Sequence, residues 1–223
     1  MALGPHRLEG GARLLERERL HLEAAGAIVS GDFRRGSRVL ETIGLEHPRD
    51  LMALAVGHQV DYFTGDSLML RDRPALARAA WTPDDPHHAN VLGMLAFGLE
   101  ETRQFDRAFE VGLEAVEGDA RDVWAIHAVG HAFEETARWR DGLAFYDARA
   151  EHWASGTYFN VHNWWHYALY ALEGGDEARP LAIFDAALFT PDNGGLALQM
   201  LDASALLWRM RLEGHHETPS NGV

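Results

Sequence analysis

From residue 12 onward the chain falls into apolar-periodic segments separated by short marks rich in Gly, Pro and Asp. Within the segments, apolar residues recur every three to four positions, the spacing of one face of an α-helix. Leu14, Leu15, Leu22, Ala25 and Val29 make such a face and predict a helix from Ala12 to about Ser30. The marks are Gly31-Asp32, His47-Pro48, Gly65-Asp66, Pro83 to Pro86, Gly118-Asp119, Gly174-Gly175 and Pro191 to Gly195, residues that end helices or open turns. The segments between them are rich in Ala, Leu, Glu and Arg, which form helices readily. No segment sustains the strict alternation of a strand, and no hairpin turn joins two β-branched runs. The pattern predicts an all-α protein.

The segments come in pairs. Second members open with an aromatic residue followed three positions later by a small one: Phe33 and Gly36, Phe105 and Ala108, Trp139 and Gly142. From 105 to 139 is 34 residues, and from 33 to 105 is 72, twice 36. Helix pairs recurring at that interval predict a tetratricopeptide-like α-solenoid. The expected pairs are 12–46, 50–79, 88–118, 122–152 and 159–189, with one further C-terminal helix at 196–213. Residues 1–11 and 214–223 read as a flexible N-terminus and tail around the single repeat domain 12–213. The last helix has no partner in this scheme, so an apolar end is expected to be left for another subunit or for missing sequence. The segment EARPLAIF lacks the small residue expected at the helix crossing, and Pro180 suits only a first turn.

Composition narrows the function. The 223 residues are 47% hydrophobic, enough for a sizeable core, and carry a net charge of −14. That balance argues against a nucleic-acid surface and against docking on an anionic membrane. There is no Cys, which removes disulfides, thiolate ligands and Cys nucleophiles. No apolar run approaches the ~18 residues of a membrane span, and the expected location is cytoplasmic. The six Ser show no nucleophile elbow, and no Gly-rich loop is suited to phosphate.

The chemistry-bearing stretch is 122–171, which holds two His pairs at i, i+4: His127/His131 and His162/His166. Residues four apart in a helix share a face, so each pair can close on one divalent ion. The two pairs are also 35 residues apart at both members, which places them at equivalent positions on neighbouring first helices. Continuing the register gives a row across the inner wall: His58, Glu100 and Glu101, the two His pairs with Glu134 and Glu135, then Asp202. The expected metal ligands are His131, His162 and His166, completed by His127 or Glu135, holding Zn²⁺, Mn²⁺ or Fe²⁺. Glu134 or Glu100 is the expected general base for a metal-bound water. His58, Glu101, Trp165 and Asp202 are expected around a ligand pocket. The run is not the HExxH motif, so no zinc-protease mechanism carries over.

The stretches HPRDLMAL, HQVDYFTGDSLMLRD, VLGMLAFGLEET, RDVWAIHAVGH, HNWWHYALY and MLDASALLWRM, in that order, resemble the tetratricopeptide-repeat protein 38 family over roughly residues 14 to 214. The resemblance implies a helical-repeat solenoid and no particular reaction. His58, Glu100, His127, His131, His162, His166 and Asp202 all lie inside the matching stretches.

Three expectations follow. In the first, a concave His/carboxylate pocket binds a divalent metal and a small ligand, with hydrolysis as its extension. In the second, the protein is a metal-free adaptor that grips a peptide in an acidic groove. In the third, the groove is filled by the chain's own packing and the protein works as a homo-oligomer through its ends.

Overall fold

The computed structural model describes residues 14–155, 159–190 and 197–215, together with Pro219. The expected flexible N-terminus, the opening residues 12 and 13 of the first segment, and most of the expected tail lie outside them. Among the described residues the chain is all-α, without strands. The pairs are α1 (Glu16–Val29) with α2 (Phe33–Glu46), α3 (Leu51–Thr64) with α4 (Ser67–Arg78), and α5 (His88–Glu101) with α6 (Phe105–Gly118). Then come α7 (Val123–Glu135) with α8 (Trp139–Asp147), a short α9 (Ala150–Trp153), α10 (Asn160–Glu173) with α11 (Ala178–Ile183), and finally α12 (Ala197–Leu212). No helix is long and apolar enough to cross a membrane.

One turn recurs between paired helices. Gly31, Gly65 and Gly175 take positive φ angles of 86°, 69° and 77°, which glycine adopts without steric cost. The Asp that follows each glycine returns its N–H to a carbonyl five residues back, on Ala27, Asp61 and Ala171. Its carboxylate then accepts the N–H three residues on, at Arg35, Met69 and Arg179. This joins a left-handed helix stop to an N-cap. Arg103 and Ala137 hold the glycine position in the third and fourth pairs with φ of 62° and 56°. The same backbone bonds close there, from Gln104 to Leu99 and from Arg138 to Phe133.

Small residues set the helix spacing. A Cβ on Gly98 would come within 2.3 Å of the Leu70 carbonyl oxygen, so α4 and α5 approach as closely as they do because no side chain stands there. The expected crossings at Gly36, Ala108 and Gly142 are all buried. In the fifth pair, where that signal is missing, α11 passes into a π-helical turn, Phe184–Leu188, with Pro180 buried. The expected continuous helix to 152 is broken after Asp147, and Trp153 folds back to donate its indole N–H to the Tyr146 carbonyl at 2.9 Å.

The expected apolar face of α1 is reversed. Leu15, Leu22 and Val29 are exposed, while Ala24 and Ala27 are buried, with Leu20 and Ile28 packed beside Ala24. Small residues face inward because Gly36 of α2 lies against Ile28 and Ala24, leaving no room for Leu there.

The main core runs from Leu92 to Met210 and lies under the last repeats. The expectation that α12 lacks a partner is corrected: Ala203, Leu206 and Met210 join this core beside Leu172, Phe184 and Leu188. Its outer face still shows Leu201, Trp208 and Leu212. The first turns of α12 line the same cavity as Tyr62 and Phe63 of α3, so the helix lies across the inner wall formed by α3, α5, α7 and α10.

Candidate metal centre

Two helices present the four imidazoles. Asp122 caps α7 by accepting the N–H groups of Trp124 and Ala125, which fixes the phase of His127 and His131. Asn163 of α10 accepts the Tyr146 hydroxyl at 3.0 Å, and Tyr170 donates to the Gly130 carbonyl, so α10 is held against α7 and α8. Neighbouring first helices therefore meet face to face. One ligand nitrogen from each of His127, His131, His162 and His166 lies within 4.8 Å of all the others. The rings of His131 and His166 are 4.5 Å apart, and those of His127 and His162 are 4.8 Å apart.

Three of the four rings meet carboxylates at Nδ1. The Nδ1 atom of His166 lies 2.8 Å from Glu134 Oε2, and that of His162 lies 2.9 Å from Asp202 Oδ2. His131 Nδ1 faces Glu100 Oε2 at 3.5 Å. An ionised carboxylate only accepts, so Nδ1–H donates in the two close pairs and Nε2 is the nitrogen turned to the cluster. Those two Nε2 atoms stand 3.2 Å apart. The edge of a tetrahedron with metal–nitrogen bonds of about 2.0–2.1 Å is about 3.3–3.4 Å. His127 carries no outer partner, and both of its ring nitrogens are buried and unpaired, as is His131 Nε2.

Burial and mutual proximity set the charges. Burial, then the neighbouring imidazoles, pushes His127 well below 6.5. Burial, then His131, brings His166 to about 3. Burial would lower His131 too, but Glu100, Glu134 and Glu101 outweigh it and raise that pKa. Burial raises Glu134, yet the hydrogen bond from His166, with His131 and Arg209, outweighs it and holds the carboxyl at about 2. Burial, then Glu100, raises Glu101.

The other expected residues sort as follows. Glu135 is exposed and stands outside the cluster. At about 100° per residue it has turned roughly 80° from His127, whereas Glu134 is only about 20° away. Glu134 and Glu100, expected as general bases, are both turned to imidazoles. Asp202 reaches the cluster and also lines the adjoining cavity. His58 does not line it: the ring is buried, bonds the Met94 carbonyl at 3.1 Å and packs on Phe97. Glu101 is likewise not in the cavity wall, though its charge reaches Tyr62. Trp165 stacks on His162 at 5.3 Å and 15°, is covered by the Arg209 guanidinium, and does not line the cavity.

The cavity holds about 290 Å³. Its walls include His127, His162, Asp202 and Gln199, with Tyr62, Phe63, Phe97, Trp124 and Phe159. Trp124 and Phe159 stack at 4.4 Å and 24°. Reading the sequence for ligand-type residues passes over these two, although they repeat the 35-residue interval three positions before His127 and His162. A larger cleft of about 420 Å³ lies between the first two repeats, lined by Arg34, Arg38, Glu41 and Ser67 among others, and has no link to the cluster.

No family model matches the chain. Among solved structures it is similar to TTC0263, a thermophilic TPR protein of Thermus thermophilus, with a TM-score of 0.62 and 14% identity over 86% of this chain and 99% of that one. It is also similar to MamA, with a TM-score of 0.54 and 9% identity over 90% of this chain and 99% of the other. YrrB, a TPR protein described as having an unusual peptide-binding site, gives a TM-score of 0.50 and 14% identity over 83% of this chain and 90% of that one. At these identities the likeness is one of fold. The chain is a tetratricopeptide-like helical-repeat protein.

Proposed function

We propose that this protein is a helical-repeat binding module built around a divalent-metal centre on His127, His131, His162 and His166, with a small ligand received in the adjoining cavity. The observation that carries the reading is the set of three carboxylates, Glu100, Glu134 and Asp202, behind three imidazoles. Metal-binding His residues are usually oriented in this way, with the outer nitrogen tied to a carboxylate and the inner lone pair turned to the ion. An all-imidazole shell favours Zn²⁺ or Fe²⁺ over Mn²⁺, which prefers oxygen. The two carboxylates expected as bases are turned to imidazoles and act here as orienting groups, so hydrolysis is not part of the proposal. Elemental analysis of protein purified without a His tag and incubated with Zn²⁺ tests it. About one ion per chain is expected, and less than about 0.2 would overturn the reading.

The second reading is the metal-free peptide adaptor. It draws on the fold, on the acidic balance of the chain, and on the exposed inner face of α3 at Tyr62 and Phe63. Solenoids of this kind present extended concave surfaces to partners. In this reading a chelator leaves Tm unaltered, and His131→Ala weakens capture of a basic peptide without changing metal content. Against it, α12 already crosses the wall next to the cluster. Membership of the tetratricopeptide-repeat protein 38 family remains our proposal, carried by the six stretches named above.

A further inference from the structure

We infer that His127 is the replaceable member of the four imidazoles, and that a neutral, planar nitrogen heterocycle bearing both a ring nitrogen lone pair and an N–H takes its place. This rests on the metal reading and names the ligand class of the same site.

The four rings are not equivalent. His131, His162 and His166 each face a carboxylate from behind, but neither nitrogen of His127 has a partner, and its ring lies among Phe97 at 5.2 Å, Trp124 at 5.7 Å and Phe159 at 5.0 Å, besides its fellow imidazoles. A ligand without an outer partner is less basic and less firmly oriented, so it is the first to yield. His127 is also in the cavity wall, so its departure opens the centre towards the cavity.

The cavity then selects what enters. Its apolar lining is largely aromatic, with Leu198 and Leu201 beside the rings, and the Trp124–Phe159 pair suits a planar ring packed by stacking and edge contacts. Gln199 lies in the same wall, is 5% exposed, and its Oε1 has no partner. A buried acceptor left unpaired is costly, and a ligand N–H would relieve it. Charge selects too. Glu100, Glu101, Glu134 and Asp202 carry four negative charges against three positive from a divalent ion and Arg209, so a neutral donor is favoured over an anion. An azole-type ring meets all three demands and replaces the departing imidazole with like chemistry.

The test uses the full chain and three probes: benzimidazole, 1-methylbenzimidazole, which lacks the N–H, and indole, which lacks the coordinating nitrogen. Co²⁺ is titrated first by visible absorption; failure to bind would overturn the metal reading and this one together, before any probe is added. On the Co²⁺-loaded protein, benzimidazole is expected to move the visible bands and to bind at least ten-fold tighter than to chelator-stripped protein. Indole is expected to show no such metal dependence. Gln199→Leu should weaken benzimidazole about five-fold and leave 1-methylbenzimidazole unchanged. His127→Ala should keep Co²⁺ within ten-fold of wild type, whereas His131→Ala loses it. Unmoved bands with metal bound, or loss of metal from His127→Ala equal to that from His131→Ala, would overturn the inference while leaving the metal centre standing. If His127→Ala does not fold, the wild-type spectra decide alone.

Discussion

The Nε2 atoms of His162 and His166 face each other at 3.2 Å, while the far nitrogens of the same two rings lie against Asp202 and Glu134. Two lone pairs at that distance repel unless a proton or a metal ion lies between them. A cation bound there should therefore stabilise the fold strongly. With Zn²⁺ at a hundred times its Kd, the gain is about 2.7 kcal/mol. For a chain of this size that raises Tm by about 5–10 °C. Differential scanning calorimetry with and without Zn²⁺ checks this, and an equimolar chelator should reverse the shift.

Asp202 binds the cluster from α12, not from the repeats that carry the imidazoles. Asp202→Asn is expected to lower metal affinity about 10- to 100-fold without unfolding the protein, the usual effect of losing an outer carboxylate. Because the contact crosses elements, metal should also slow amide exchange across Ala197–Leu212. Exchange in that helix unchanged by Zn²⁺ would mean that α12 and the centre are not coupled.

Ala137 occupies the position that glycine holds in the first, second and fifth turns, at φ 56°. An L-residue there costs about 1–2 kcal/mol, while glycine brings a smaller entropic cost. Ala137→Gly should raise stability by about 0.5–1 kcal/mol, the difference between those two terms, measured by urea unfolding at unchanged m-value.

His58 gives the expected pH dependence at a distance from the cluster. Burial, followed by the charge of Arg73 and against the bond to Met94, lowers its pKa from 6.5 to about 4. Between those values the unfolded chain binds the proton and the folded one does not. Stability from this group is complete above pH 6.5 and falls, as pH drops towards 4, by up to about 1.4 kcal/mol per unit. His58→Leu should lower the slope of unfolding free energy between pH 6.5 and about 5 by up to about 1.4 kcal/mol per unit, leaving the part contributed by His127 and His166, whatever its cost under alkaline conditions. An unchanged slope would show that His58 is not the titrating group.

Much of this is legible in the order of residues alone. Helix periodicity, the Gly-Asp stops and the 34-residue interval determine five helix pairs and the inner row, because each is a local property repeated along the chain. A separation of 35 residues places His127/His131 and His162/His166 at one height. What sequence could not decide was direction. Glu134 and Glu135 are adjacent letters, but only one turns to the cluster, since the helix phase is set by the Asp122 cap and by the packing of α10 on α7. The face of α1 departs from its periodicity because Gly36 of α2 comes close to Ile28 and Ala24, so that the small Ala24 and Ala27 face inward. Counting along the chain puts Asp202 in the row, yet its bond to His162 and the closing of the cavity by Gln199 depend on α12 lying back across the groove. That placement follows from burying Ala203, Leu206 and Met210, a contact between segments distant along the chain, which only the folded structure brings together.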